Sequence, residues 1–150
     1  MTLYKINIHT KDYTKWDIYN ATNMETADIN IDPIEHKLLT NDVFTFENEN
    51  VNIIHSSVRM NYNIPAVLII EGGKTYGREV KRSGKNTNTR LMYKCIPDDL
   101  RLPVFTVPYD IKEMNFSKVF KNRYVTIKFT SWEKKHPQAT ISQNIGPVDI

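Results

Sequence analysis

Tyr124-Val125-Thr126-Ile127-Lys128-Phe129 is a run of β-branched and aromatic residues with one lysine set among apolar neighbours. Such side chains fit a pleated, half-buried surface and lose rotamer freedom in a helix. The same character recurs towards the N-terminus. Tyr4-Lys5-Ile6-Asn7-Ile8 alternates apolar and polar, as does Val43-Phe44-Thr45-Phe46. Glu47-Asn48-Glu49-Asn50 then reads as a hairpin turn into Val51-Asn52-Ile53-Ile54. Ala66-Val67-Leu68-Ile69-Ile70 is short enough for a buried strand and is ended by Gly72-Gly73. Leu91 to Ile96 is a further strand, stopped by Pro97, and Val104-Phe105-Thr106-Val107 another, closed by Pro108. Between 10 and 37 the sequence predicts one short helix around Pro33 to Leu39, with Asp32 as N-cap and Pro33 at the first helical position. Residues 110–122 are the least strand-like of the second half and suit a turn or short helix. The chain therefore reads as all-β for the most part. Several short strands in each of two stretches fit two small barrels better than one large sandwich.

Composition sets outer bounds. With 150 residues, 40% hydrophobic and 25% charged, the chain is of ordinary globular type, which excludes collagen-like, mucin-like and wholly disordered classes. The longest apolar run, Ala66 to Ile70, is far short of the ~20 residues of a membrane-spanning helix, so no membrane partner is expected. The N-terminal stretch has no apolar core of a secretory signal. Cys95 is the only cysteine, which excludes an internal disulfide or a multi-cysteine zinc site and suits a reducing, cytoplasmic compartment. Lys, Asn and Ile are abundant, a bias better attributed to an AT-rich genome than to function.

Charge is unevenly divided. Residues 1–75 hold 6 Lys/Arg against 10 Asp/Glu, whereas residues 76–150 hold 14 against 7. A basic second half points to a polyanion, and phosphate backbones are the usual one because each Lys or Arg contact releases condensed counterions.

Catalytic and metal motifs are sparse. His9, His36, His55 and His136 have no paired ligand spacing. Asp98-Asp99, between Pro97 and Pro103, reads as turn chemistry, with Arg101 pairing with one of the two aspartates. No phosphate-binding loop, dinucleotide fingerprint or nucleophile elbow occurs. Cys95 reads as a buried, inert strand cysteine. The second half instead interleaves basic and aromatic residues: Tyr76-Gly77-Arg78, Tyr93-Lys94, Arg123-Tyr124, Lys128-Phe129, and Trp132 with Lys134-Lys135. The basic stretch from Lys81 to Arg90 reads as a long hairpin loop. Rings on the outer face of a barrel stack bases while Lys and Arg follow phosphates. The expected nucleic-acid-binding set is therefore Arg78, Lys81, Arg82, Lys85, Arg90, Lys94 and Lys128 for phosphate, with Tyr76 and Tyr93 for stacking. Phe129 and Trp132 are expected in the core.

The order of motifs from Tyr76 onward carries a resemblance. Tyr76-Gly77-Arg78 is followed by Ile96-Pro97-Asp98-Asp99-Leu100-Arg101-Leu102-Pro103, by Tyr124 to Trp132, by His136-Pro137 and by Ile145-Gly146-Pro147-Val148-Asp149. This resembles the N-terminal region of the ribonuclease II and ribonuclease R (RNB) exoribonucleases, in wording nearest those of large nucleocytoplasmic DNA viruses. Pro33, Leu38 to Val43 and Val51 to His55 extend it weakly through the first half. The resemblance implies two tandem OB-fold, cold-shock-like barrels with short helical turns, over residues 1–60 and 61–150. It implies a structural motif of Pro97, Asp98, Asp99, Arg101, Pro103 and Trp132. Ala66 and Ala139 stand where the family commonly has glycine, and at Ala139 this is expected to reshape the turn after His136-Pro137.

The implied activity is the guiding of single-stranded RNA to a magnesium-dependent 3′–5′ exoribonuclease domain. The aspartate cage of that domain is missing from this sequence, so no catalytic residue, metal ligand or cofactor is expected here; magnesium would belong to a covalently linked catalytic domain. The chain is thus expected to be no enzyme by itself, and part of an exoribonuclease if the natural chain continues. For a viral protein the expected place is the host cytoplasm. The alternative is a stand-alone OB module that docks other proteins in a virion or transcription complex.

Overall fold

The computed structural model describes residues 1–79, 89–111 and 121–148. Lys81, Arg82 and Lys85, and most of the turn or helix expected over 110–122, lie outside the described residues. The described chain is mostly β, and it divides into two compact units: Met1–Asn61 with Asp99–Pro103, and Tyr62–Asp98 with Val104–Ile150.

The first unit is built on a four-stranded sheet. Its strands are β1 (Tyr4–Ile8), β2 (Trp16–Asn20), β3 (Val43–Glu47) and β4 (Asn50–His55), in the order β2-β1-β3-β4. All neighbours run antiparallel. The alternation of β1 sends Ile6 and Ile8 into a core shared with Ile18, Leu38, Leu39 and Phe44. β3 and β4 meet through Asn48-Glu49, both at positive φ (51° and 64°). That is the two-residue turn whose twist matches a right-handed hairpin.

The helix expected around Pro33 to Leu39 is instead a set of turns. Asp32 does cap it, its Oδ1 accepting from the Ile34 N–H at 2.9 Å, and the Leu38 N–H donates to the Pro33 carbonyl at 2.8 Å. Lys37, at φ 54°, then turns the chain so that Leu38 and Leu39 enter the core. The helix that does form, α1 (Ser57–Met60), is one turn capped by Ser56. Around that cap lies a buried polar cluster. The Asp42 carboxylate accepts from the Ser56 hydroxyl (2.5 Å), the Leu39 N–H (2.8 Å) and the Arg59 guanidinium (2.7 Å). A second Arg59 nitrogen donates to the Lys37 carbonyl at 2.8 Å.

The second unit is a closed five-stranded barrel. Its strands are β5 (Ile64–Leu68), β6 (Leu91–Pro97), β7 (Phe105–Tyr109), β8 (Arg123–Ser131) and β9 (Gln138–Pro147), in the order β5-β6-β7-β9-β8. β5 pairs antiparallel with both β6 and β8, and one parallel contact, Thr106 opposite Gln138, joins β7 to β9. Three register shifts in the long β8–β9 ladder add the twist that closure requires. Ile64, Ala66, Leu68, Cys95, Phe105, Val107, Val125 and Ile127 fill the interior. The Asn122 side-chain carbonyl accepts from the N–H groups of Ile70 and Glu71 at 2.9 and 3.0 Å, tying the end of β5 to the start of β8.

Two expectations about this unit are corrected. β7 runs through Pro108 to Tyr109 rather than closing at the proline. Pro108 faces Met92, whose own N–H and C=O bond away from β7 to Gly77 and Tyr76, so the ladder needs no donor at that proline. Ala139 lies in β9 opposite Phe129, within the ladder and not in the turn, so its methyl reshapes no turn.

Candidate nucleic-acid interface

Two connections frame one end of β6. The first leaves β5 through Gly72 and Gly73, both at positive φ, and returns alongside the start of β6. There the Tyr76 N–H donates to the Met92 carbonyl (2.8 Å), the Met92 N–H to Gly77 (2.8 Å) and the Glu79 N–H to Arg90 (3.0 Å), an antiparallel ribbon of 76–79 against 90–92. The second connection joins β8 to β9 over residues 132–137. Trp132 is buried at its start. At its end the Pro137 carbonyl accepts from the Thr106 N–H at 2.9 Å. Both loops are thus fixed to barrel strands.

Between these anchors the loops bring their side chains together. The Tyr76 and His136 rings meet edge to face, 6.0 Å between centroids and 86° between planes. The Lys74 ammonium lies over the Tyr76 ring, 5.3 Å from its centroid. Burial, and then the positive charges of Lys135 and Lys94, hold the His136 imidazole below the usual histidine range. Lys74 thus lies over one ring of a Tyr–His pair, Lys135 adjoins the other in sequence, and Lys94 stands opposite Thr106, whose N–H holds the Pro137 carbonyl. A cationic patch with exposed ring surface binds phosphate through its ammonium groups and a base through its rings.

Of the residues picked from the sequence, Tyr76 and Lys94 belong to this cluster. Tyr93 does not, and its expected stacking role is corrected. It is only 3% exposed, on the inner face of β6 with Cys95, edge-on to Tyr109 at 6.4 Å. Side chains alternate across a strand, so Lys94 and Tyr93 cannot share a face. Arg78 and Arg90 stay on the ribbon, where they hold it together. The Arg78 guanidinium donates to the Thr89 carbonyl at 2.6 Å, and Arg90 forms an ion pair with Glu79 at 3.0 Å. Lys128 sits over the Tyr62 ring, 4.2 Å from its centroid. Lys74, Lys135 and His136 were not in the expected binding set, although Lys135 stands in the basic–aromatic interleaving and His136 in the His136-Pro137 motif. Their positions on either side of the barrel's first and last hairpins were the available signal.

The remaining motif residues hold turns. Asp99 accepts from the Arg101 N–H at 2.9 Å and pairs with its guanidinium at 2.9 and 3.1 Å, which lowers the Asp99 carboxyl and raises Arg101. Lys11 donates to the Leu102 carbonyl at 2.8 Å. Pro97, Pro103 and Trp132 are buried, and Asp98 is exposed with its N–H on the Pro65 carbonyl at 3.0 Å. Phe129 is half-buried, edge-on to Phe105. The Cys95 thiol is fully buried and pushed up to about 12, first by burial and then by Asp98, so it is a poor nucleophile. Among the described residues no three His, Cys, Asp or Glu side chains converge on a metal-sized site. No protein-family model matches the chain, and no curated protein matches it.

Proposed function

We propose that the chain is a single-stranded-RNA-binding module whose second unit is an OB barrel. Its five strands, closed in the order β5-β6-β7-β9-β8 with one parallel contact, support that assignment. OB barrels take oligonucleotides on the face of their second and third strands, between the first–second and fourth–fifth connections. The counterparts here are β6 and β7, the connection after β5 and the connection after β8. The observation that carries the proposal is the Tyr76–His136 ring contact between those two connections, with Lys74 over the Tyr76 ring and Lys94 on β6 opposite Thr106. The first unit, with its antiparallel sheet, is proposed as a second cold-shock-like fold. The order of motifs from Tyr76 to Asp149 in the sequence supports a role as the RNA-guiding front of an RNB-type exoribonuclease, with hydrolysis performed by a linked magnesium-dependent domain.

Fluorescence anisotropy of labelled oligo(U) titrated with the full chain tests the binding. Log affinity falls linearly with log salt, by about 0.7 for each phosphate neutralised on a single strand, and Lys94→Ala lowers the slope by about that amount. Absence of binding at low salt, or affinity insensitive to salt, overturns the proposal.

A further inference from the structure

Histidine is the side chain whose ordinary titration falls nearest neutral pH, and in this cluster His136 is its one representative. Tyr76 meets its ring directly, and the charged groups around the pair come from three elements. Tyr76, with Lys74 behind it, comes from the connection after β5. Lys94 comes from β6, opposite the Thr106 whose N–H holds Pro137, and Lys135 from the ring's own connection, which also carries exposed Glu133 and Lys134. The two side-chain charges that act on the imidazole are both positive, and the ring is half-buried. An added proton there meets positive charge and reduced access to water, both of which disfavour the charged ring.

A phosphate reverses both effects. Seated among the ammoniums, it cancels their field and offers oxygen acceptors to a ring N–H. We propose that His136 takes up one proton from solvent when a phosphate of a bound polynucleotide enters the Lys74–Lys94–Lys135 cluster, coupling RNA affinity to pH through this ring. This rests on the RNA-binding reading above and adds its regulation. The sign follows from linkage. The bound state has the higher histidine pKa, so affinity rises as pH falls through that value and levels off below the pKa of the free protein. The gain is about tenfold for each pKa unit by which the phosphate raises the ring.

The test uses the full chain and oligo(U) at constant ionic strength, between about pH 5.5 and 8 where histidine titrates. The wild-type protein binds more tightly towards acid, and His136→Gln, whatever its affinity at pH 8, flattens the profile. In parallel, the His136 ring proton is followed by NMR in the wild-type protein, free and with saturating oligo(U); its midpoint moves to higher pH with RNA. This second readout needs no variant and stands if His136→Gln folds poorly. A wild-type profile equal to that of His136→Gln, or a ring midpoint unmoved by RNA, overturns the coupling and leaves RNA binding intact. No binding at any pH removes the RNA-binding reading and this inference together.

Discussion

Tyr76 and Tyr93 have the same side chain and opposite roles. Tyr93 fills the barrel beside Cys95, whereas Tyr76 is half-buried among cations. Tyr93→Ala empties a core site and is expected to cost about 3–5 kcal/mol in a denaturant titration. Tyr76→Ala is expected to leave the unfolding midpoint nearly unchanged and to weaken oligo(U) binding by about 1–3 kcal/mol, read by anisotropy. The parity that separates Tyr93 from Lys94 was present in the sequence, since Tyr93 and Cys95 are two residues apart. His136 was not legible in the same way, because the Tyr76 ring that meets it lies 60 positions away in the chain.

Arg59 makes the other residue-scale case. Burial raises the Asp42 carboxyl above its usual range, against the lowering effects of Ser56, Leu39 and Arg59. A carboxyl raised in the folded state contributes stability while protonated and loses it as pH rises through the folded pKa. Arg59→Met removes a counter-charge, so the carboxyl rises further. The loss of stability should be small near the acid limb and approach about 3–5 kcal/mol, the cost of a buried unpaired charge, at higher pH. Equal destabilisation at acid and neutral pH in urea titrations would contradict this account.

Among the elements, the β3–β4 hairpin was legible and its chemistry decides its shape. Glu49 at φ 64° occupies a conformation that costs an L side chain about 1–2 kcal/mol, and nothing about its exposed carboxylate requires it there. Glu49→Gly should therefore raise stability by up to about 1 kcal/mol, measured by thermal unfolding. The 33–39 segment shows the opposite outcome. Its capping signal was correct, but one capped turn cannot offset helix nucleation, and burying Leu38 and Leu39 settled the path. Pro108 misled for a related reason. A proline stops a strand only where the ladder needs its N–H, and register is not visible in a single strand's sequence.

For the molecule as a whole, alternation predicted the β class, and the charge split pointed to the half that carries every member of the cluster but Lys74. The convergence itself was hidden, because closure of the barrel, not sequence proximity, brings the connection after β5 beside the one after β8. The most direct measurement is amide chemical-shift mapping of the full chain titrated with oligo(U). The account predicts that the largest changes fall on Lys74 to Arg78, on Lys94 and on Lys134 to His136, saturating together. Changes confined to the first unit, or spread evenly over the surface, would contradict it.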